Sequence, residues 1–281
     1  MRSNLLIGTL FLLTFFTTTV AGVQWVNHDP LELTNFHYGL PFSISILLIL
    51  GFHEFGHYFA AKYHRVDVTL PHFIPFPPFP LTESISFLFN PFGTMGAVIR
   101  MRSQLQSKRA LFDIGIAGPI AGLVATFGVL LYGFLTLPDI SYLYQMHPEY
   151  VSHAPTSEEG FAFGNSLLFL GLRHVFASHA FVPPMSEIYH YPYLCAGWFG
   201  LFVTALNLIP VGQLDGGHII YALVGPERQH RVAKVFFWLL VVAGLLQASL
   251  AIAGPVDDMT TAAQRTGLPS RVAWQLASCS S

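Results

Sequence analysis

His53, Glu54 and His57 fall within five residues, in the run Phe52-His53-Glu54-Phe55-Gly56-His57-Tyr58. On a helix, residues four apart share a face, so both imidazoles can reach one metal ion while Glu54 lies beside them. Two neutral imidazoles can hold zinc, and the ion lowers the pKa of a bound water to about 7. A glutamate alongside can take the proton as that water attacks a carbonyl, so the pattern predicts hydrolytic metal chemistry. The setting is apolar. No charged residue occurs from Leu40 to Leu50, and Gly51 and Phe52 lead directly into the motif. Ionisable residues inside a bilayer are costly and mark function.

A second stretch, Asn207-Leu208-Ile209-Pro210-Val211-Gly212-Gln213-Leu214-Asp215-Gly216-Gly217-His218, ends an apolar run far along the chain. Its proline and glycines break a helix, and broken backbone at membrane depth is tolerated only where it is buried in protein or lines a cavity. Asp215 is the natural third ligand for a metal held by His53 and His57, leaving the fourth position to water. The alternative is that Asp215 caps the helix that follows. Asn207 suits a helix–helix hydrogen bond or donation to a reacting carbonyl oxygen, and His218 is an outside candidate for the metal.

The elements that must position these residues are apolar helices. Of the 281 residues, 53% are hydrophobic and 10% charged, against about 25% charged in a soluble domain. The chain reads as an all-α polytopic membrane protein of about five transmembrane helices, at about 5–22, 40–62, 110–137, 194–210 and 232–253. A small β-rich, membrane-associated insertion lies between the second and third. The first run suits a signal peptide or a helix, and its length favours the helix. In the insertion, prolines forbid a continuous helix, and Gly93-Thr94-Met95-Gly96-Ala97-Val98 reads as a strand with a free edge. Gly118 and Gly122 carry a small-residue spacing for helix packing, and Asp113 sits where it can reach the interface. The connection from Pro138 to Tyr193 holds an interfacial helix near 166–176. His147, His153, His174, His179 and His190 in that connection are read as solvated rather than as ligands, and Glu187 as lacking a partner motif. Residues 255–281 form a polar tail. A net charge of −2 and the lack of a basic stripe exclude a nucleic-acid partner, and Cys195 and Cys279 form no disulfide framework.

With five spans, Arg2, Lys62, Arg65, Arg100, Arg102, Lys108, Arg109, Arg228, Arg231 and Lys234 fall on one side. Arg173, Arg265 and Arg271 lie opposite. The positive-inside rule makes the first side cytoplasmic. Both motifs end at that side, at one depth.

The chain resembles the site-2 proteases, a family of intramembrane zinc metalloproteases, over roughly residues 5 to 254. Three motifs carry the likeness: His53-Glu54-Phe55-Gly56-His57, Gly93-Thr94-Met95-Gly96, and Asn207-Leu208-Ile209-Pro210 with Leu214-Asp215-Gly216. The resemblance implies one zinc ion per chain on His53, His57 and Asp215, Glu54 as catalytic base, and Asn207 as a stabiliser of the transition state. It implies hydrolysis of a peptide bond within a transmembrane segment of a partner protein. Unwinding such a segment in lipid exposes polar groups at several kcal/mol each, and Gly93, Thr94, Met95 and Gly96 are expected to bind it by β-addition. The sequence departs from many members in showing no PDZ or CBS module, and from compact relatives in offering no further apolar run after residue 254. Two other classes fit parts of the pattern: a transmembrane metal transporter and an inactive membrane scaffold. The compact form favours a prokaryotic inner membrane as the location. Nothing in the sequence sets the oligomeric state.

Overall fold

The computed structural model describes residues 2–76, 92–103, 107–151, 162–177 and 181–266. Helix α1 (Arg2–Trp25) is followed by α2 (Phe36–Tyr63), strands β1 (His72–Pro75) and β2 (Thr94–Val98), and α3 (Lys108–Leu135). Two short helices, α4 (Ile140–Met146) and α5 (Leu167–Phe176), lead to α6 (Pro192–Asn207), α7 (Asp215–Val224) and the long α8 (Pro226–Thr266). The protein is mostly helical, with a small antiparallel sheet.

Helix α1 is built from an apolar run studded with threonines, and its hydroxyls are satisfied without water. Thr14, Thr18 and Thr19 each donate to the carbonyl four residues back, at 2.8, 2.8 and 2.7 Å. This leaves a surface that packs as if apolar. Thr18 Oγ1 also lies 2.6 Å from Ser43 Oγ on α2. Helices α1 and α2 approach so closely that a Cβ at Gly39 would collide with the Thr19 carbonyl on α1.

Among the described residues, four helices are long and apolar enough to cross a membrane: Leu5–Trp25, Leu33–Tyr63, Lys108–Leu135 and Pro226–Ser249. The sequence leads one to expect a fifth at 194–210. Helix α6 has 16 residues, about 24 Å at 1.5 Å per residue, which falls short of an apolar bilayer core of about 30 Å. The chain breaks at Leu208, ahead of Pro210, and resumes as α7. Helix α8 continues to Thr266, past residue 253 where the sequence pattern ends the last span. The C-terminal residues 267–281, Cys279 among them, lie outside the described residues.

The sheet lies between α2 and α3 in the chain, as the pattern predicts. Its register pairs His72 with Val98, Phe73 with Ala97 and Pro75 with Thr94. It is anchored on α1: Phe11 and Phe73 meet edge to face at 5.3 Å, and Thr17 Oγ1 donates to the Gly93 carbonyl at 2.6 Å. Gly93 has φ +72°, a conformation that non-glycine residues seldom hold. Most of the proline-rich run between the strands falls outside the described residues.

The core is centred on α6. Leu194, Cys195, Ala196 and Phe199 are buried there against Phe42 and Ile46 of α2, Leu130 and Phe134 of α3, and Phe169 of α5. Ser166 caps α5, accepting from the Phe169 N–H at 3.2 Å, so a helix stands at 167–176, within the stretch where the sequence leads one to expect one. Asp113 is held 2.8 Å from His64 Nε2 at the end of α2, so it joins α3 to α2.

The α1–α2 approach generates a prediction. Gly39→Val places two branches into the Thr19 carbonyl and should destabilise the fold by about 1–3 kcal/mol. Thermal unfolding in detergent should show a lowered midpoint, while Gly8→Val, where a Cβ would meet nothing within 4 Å, should leave it unchanged.

Candidate metal centre

His53 and His57 lie one turn apart on α2 with their rings nearly perpendicular, at 77°. Their Nε2 atoms are 3.1 Å apart. Asp215 reaches both, with Oδ2 3.2 Å from His53 Nε2 and Oδ1 3.3 Å from His57 Nε2. Both imidazoles are buried. The carboxylate does not cap its own helix, where Leu214 is the N-cap residue and makes no side-chain bond.

These distances fit a metal. Tetrahedral zinc with ligand atoms at about 2.0–2.1 Å sets those atoms about 3.3 Å from one another. The three separations of 3.1, 3.2 and 3.3 Å leave room for such an ion between them. The tautomer is also suited. His57 Nδ1 lies 2.7 Å from the Ile114 carbonyl on α3, which can only accept. Nδ1 therefore carries the proton and Nε2 presents its lone pair to the ion.

Each ligand is positioned by backbone that leaves no space for a larger residue. A Cβ on Gly118 would collide with the Nε2 edge of the His57 ring, and one on Gly122 would stand 3.1 Å from the His53 Cβ and 3.2 Å from its Nδ1. The sequence suggests helix packing for these two glycines. In the structure they are also the floor on which the imidazoles rest. Asp215 is brought in by the turn from Leu208 to Leu214, which folds back so tightly that a Cβ at Gly216 would collide with the Leu208 carbonyl.

The other sequence candidates are distributed as follows. Glu54 is buried on α2 next to His53. Asn207, the last residue of α6, points its Nδ2 at His53 Nε2 at 3.3 Å, so it faces the same space. His218 is not among the three grouped ligands; it lies on α7 opposite Gly115. Gly93, Thr94, Met95 and Gly96 belong to the sheet on α1, where Thr94 Oγ1 donates to the Ile74 carbonyl at 2.9 Å. β1 passes close below the motif, its Phe73 ring 4.0 Å from where a Cβ on Gly51 would lie.

One set of residues is corrected by the structure. His147, Glu187 and His190 bring their ligand atoms within 4.8 Å of one another. The sequence reading discounts them because they are dispersed through a long connection. The Glu187-Ile188-Tyr189-His190 spacing holds two of them one turn apart, and that was the only local signal.

Replacement of Gly118 tests the floor. Gly118→Ala should displace the His57 ring and weaken zinc binding by about 10–100-fold, the range for groups that orient a metal ligand. A zinc titration of chelator-stripped protein reads this directly, with Gly128→Ala, where a Cβ would meet nothing within 4 Å, retaining wild-type affinity.

The model for "Peptidase family M50" matches residues 41–248. A rice protein (Oryza sativa subsp. japonica) named "Probable zinc metalloprotease EGY1, chloroplastic" is 33% identical over 188 residues, covering 67% of this chain and 28% of its own length. Its Arabidopsis thaliana namesake is 31% identical over 188 residues, covering 66% of this chain and 30% of its own. "Probable zinc metalloprotease EGY2, chloroplastic" of Arabidopsis thaliana is 27% identical over 241 residues, covering 85% of this chain and 38% of its own. The chain thus spans about a third of the length of these curated relatives. No solved structure matches it. The expected prokaryotic inner membrane, with the motif facing a cytoplasm, is overturned by these relatives, whose names place them in plant chloroplasts. Span length and charge asymmetry are shared by many bilayers, so the compact form carried no information about compartment. The match over most of the chain, with both metal-ligand segments inside it, places the chain in peptidase family M50, the site-2 protease family.

Proposed function

We propose that this chain is an intramembrane zinc metalloprotease that hydrolyses peptide bonds within or near transmembrane segments of partner proteins. The observation that carries the reading is the convergence of His53 and His57 with Asp215, at 3.1–3.3 Å, from segments far apart in sequence. The relatives' names, each a probable zinc metalloprotease, support it.

In this reading His53, His57 and Asp215 hold one zinc ion. When bound, zinc supplies Lewis-acid polarisation of the scissile carbonyl and acidification of a water. Glu54 takes the proton from the attacking water and delivers it to the departing amine, so that the C–N bond breaks as a neutral amine leaves. Asn207 Nδ2, already aimed at this space, donates to the carbonyl oxygen as it gains negative charge. The Ile114 carbonyl holds His57 in one tautomer throughout. Buried surroundings keep bulk water out and strengthen each of these interactions.

A substrate helix must unwind to present its carbonyl. The exposed side of β2, where Met95 is 64% exposed and has no partner in the register with β1, supplies backbone groups to an extended segment. In this arrangement α6 and α7 together make the fifth crossing, and residues 1–254 are the protease domain ahead of a polar tail. The relatives' chloroplast location favours a chloroplast membrane as the bilayer.

Two outcomes are expected. Glu54→Gln should retain zinc and lose about 10²–10⁴-fold in the rate of cleavage of a model transmembrane substrate, and Asn207→Ala should lose about 10²–10³-fold. A Glu54→Gln protein that binds zinc and cleaves at the wild-type rate sinks the mechanism, and metal flux into proteoliposomes without cleavage points to a transporter. Met95→Pro, which takes an N–H from the free edge, should raise KM with zinc content unchanged. Unaltered KM in the folded variant removes β2 from substrate binding.

A further inference from the structure

A second cluster of metal-type ligands lies at the other end of α3 from the first. Gly118 and Gly122 of α3 abut the imidazoles of the first centre, while Gly133 abuts Tyr193 and Leu194 at the start of α6. Eleven residues of helix from 122 to 133 separate the two ends by about 16 Å. At the far end, His147 terminates α4, and the turn 187–190 leads into α6.

The geometry there is that of a ligand set. His147 Nε2 and His190 Nε2 are 2.9 Å apart. Glu187 Oε2 is 3.6 Å from the first and 3.7 Å from the second. These distances bracket the roughly 3.3 Å separation of atoms around a tetrahedral zinc ion. The other carboxylate oxygen, Oε1, accepts from Tyr150 O–H at 3.0 Å, and Tyr142 O–H donates to the His190 carbonyl at 3.1 Å. The carboxylate is thereby oriented from behind, as metal ligands commonly are, and the backbone of the turn that carries His190 is tied to α4.

Hydrogen bonding alone does not satisfy this cluster. Glu187 is 4% exposed and His190 is fully buried, yet among the described residues Glu187 Oε2 and His190 Nδ1 have no hydrogen-bond partner. A proton shared between the two Nε2 atoms leaves Oε2 without a donor, whichever ring carries it. Leaving one oxygen of a buried carboxylate without a donor is costly. A divalent cation between the three atoms satisfies Oε2 and both Nε2 lone pairs together.

We propose that His147, Glu187 and His190 form a second metal site that takes zinc or a similar borderline dication in a structural role. Two imidazoles and one carboxylate suit that class of ion and not a hard, all-oxygen cation. The ion fastens the end of α4 to the turn that starts α6, and α6 ends at Asn207 beside the first centre. This inference is independent of the protease reading, because it rests on residues that take no part in it.

The test is metal stoichiometry in the full-length chain, purified in detergent, stripped with chelator and titrated with Zn2+ and then Co2+. Wild type should bind two equivalents per chain. His53→Ala/His57→Ala should retain one, and His147→Ala/His190→Ala should retain the other and show a lower thermal midpoint in the presence of Zn2+ than wild type. If His147→Ala/His190→Ala does not fold, Glu187→Gln, which keeps shape and removes the charge, should lose one equivalent in its place. A wild-type stoichiometry of one that disappears in His53→Ala/His57→Ala overturns the second site and leaves the first intact. A single equivalent that disappears instead with Glu187→Gln upholds the second site and overturns the first.

Discussion

The contact between α2 and α3 is the constraint on which the rest of the structure depends. Two imidazoles pointing from one helix toward its neighbour need the space of two missing side chains, and Gly118 and Gly122 provide it. The same closeness lets a backbone carbonyl of α3 hold a ring of α2, at Ile114 and His57. In lipid, hydrophobic burial does not pull helices together, so close packing and buried hydrogen bonds must do so. The glycine seam serves both purposes. It joins the helices and shapes the wall of the metal centre, and for that reason packing and site geometry cannot be altered separately along it.

Opposite this seam, the polypeptide gives up helical continuity where Asp215 meets the two imidazoles. Helix α6 stops at Asn207, the chain folds back on itself, and α7 begins with Asp215. A continuous helix would carry its backbone hydrogen bonds straight past the imidazoles. Interrupting it lets one side chain on each side of the break, Asn207 and Asp215, face the same small volume. Residues of the turn itself, Leu208 and Leu214 among them, are exposed, whereas Gly216 and Gly217 at the start of α7 are buried.

Much of this was legible in the residues themselves. Apolar runs gave the long helices, and the four-residue spacing of His53 and His57 gave their common face. Asp215 was identifiable because a carboxylate inside a broken apolar stretch requires a partner. What remained hidden was of two kinds. The length of α6 depends on where a helix yields to Pro210 and its glycines, and the pattern overestimates it as a full span. The grouping of His147 with Glu187 and His190 depends on how a long connection folds over the end of α3, and no periodicity encodes that. Asp113 likewise looked like an interfacial residue because its partner, His64, lies on another helix. Contacts between elements are tertiary facts, and single-sequence patterns register them only when a residue would be untenable alone.

The proposed zinc site would draw its ligands from residues 53, 57 and 215, and this bears on how the protein is made. A chain delivered to a membrane from its N-terminus presents two imidazoles early and the carboxylate only after α6 has been inserted and the turn beyond it has closed. Until then the ion has two protein ligands, too few for a tight, ordered site. Biosynthesis thus imposes its own timetable on the metal: a half-made chain, lying among the other nascent helices of its membrane, carries the histidine motif without the means to complete it.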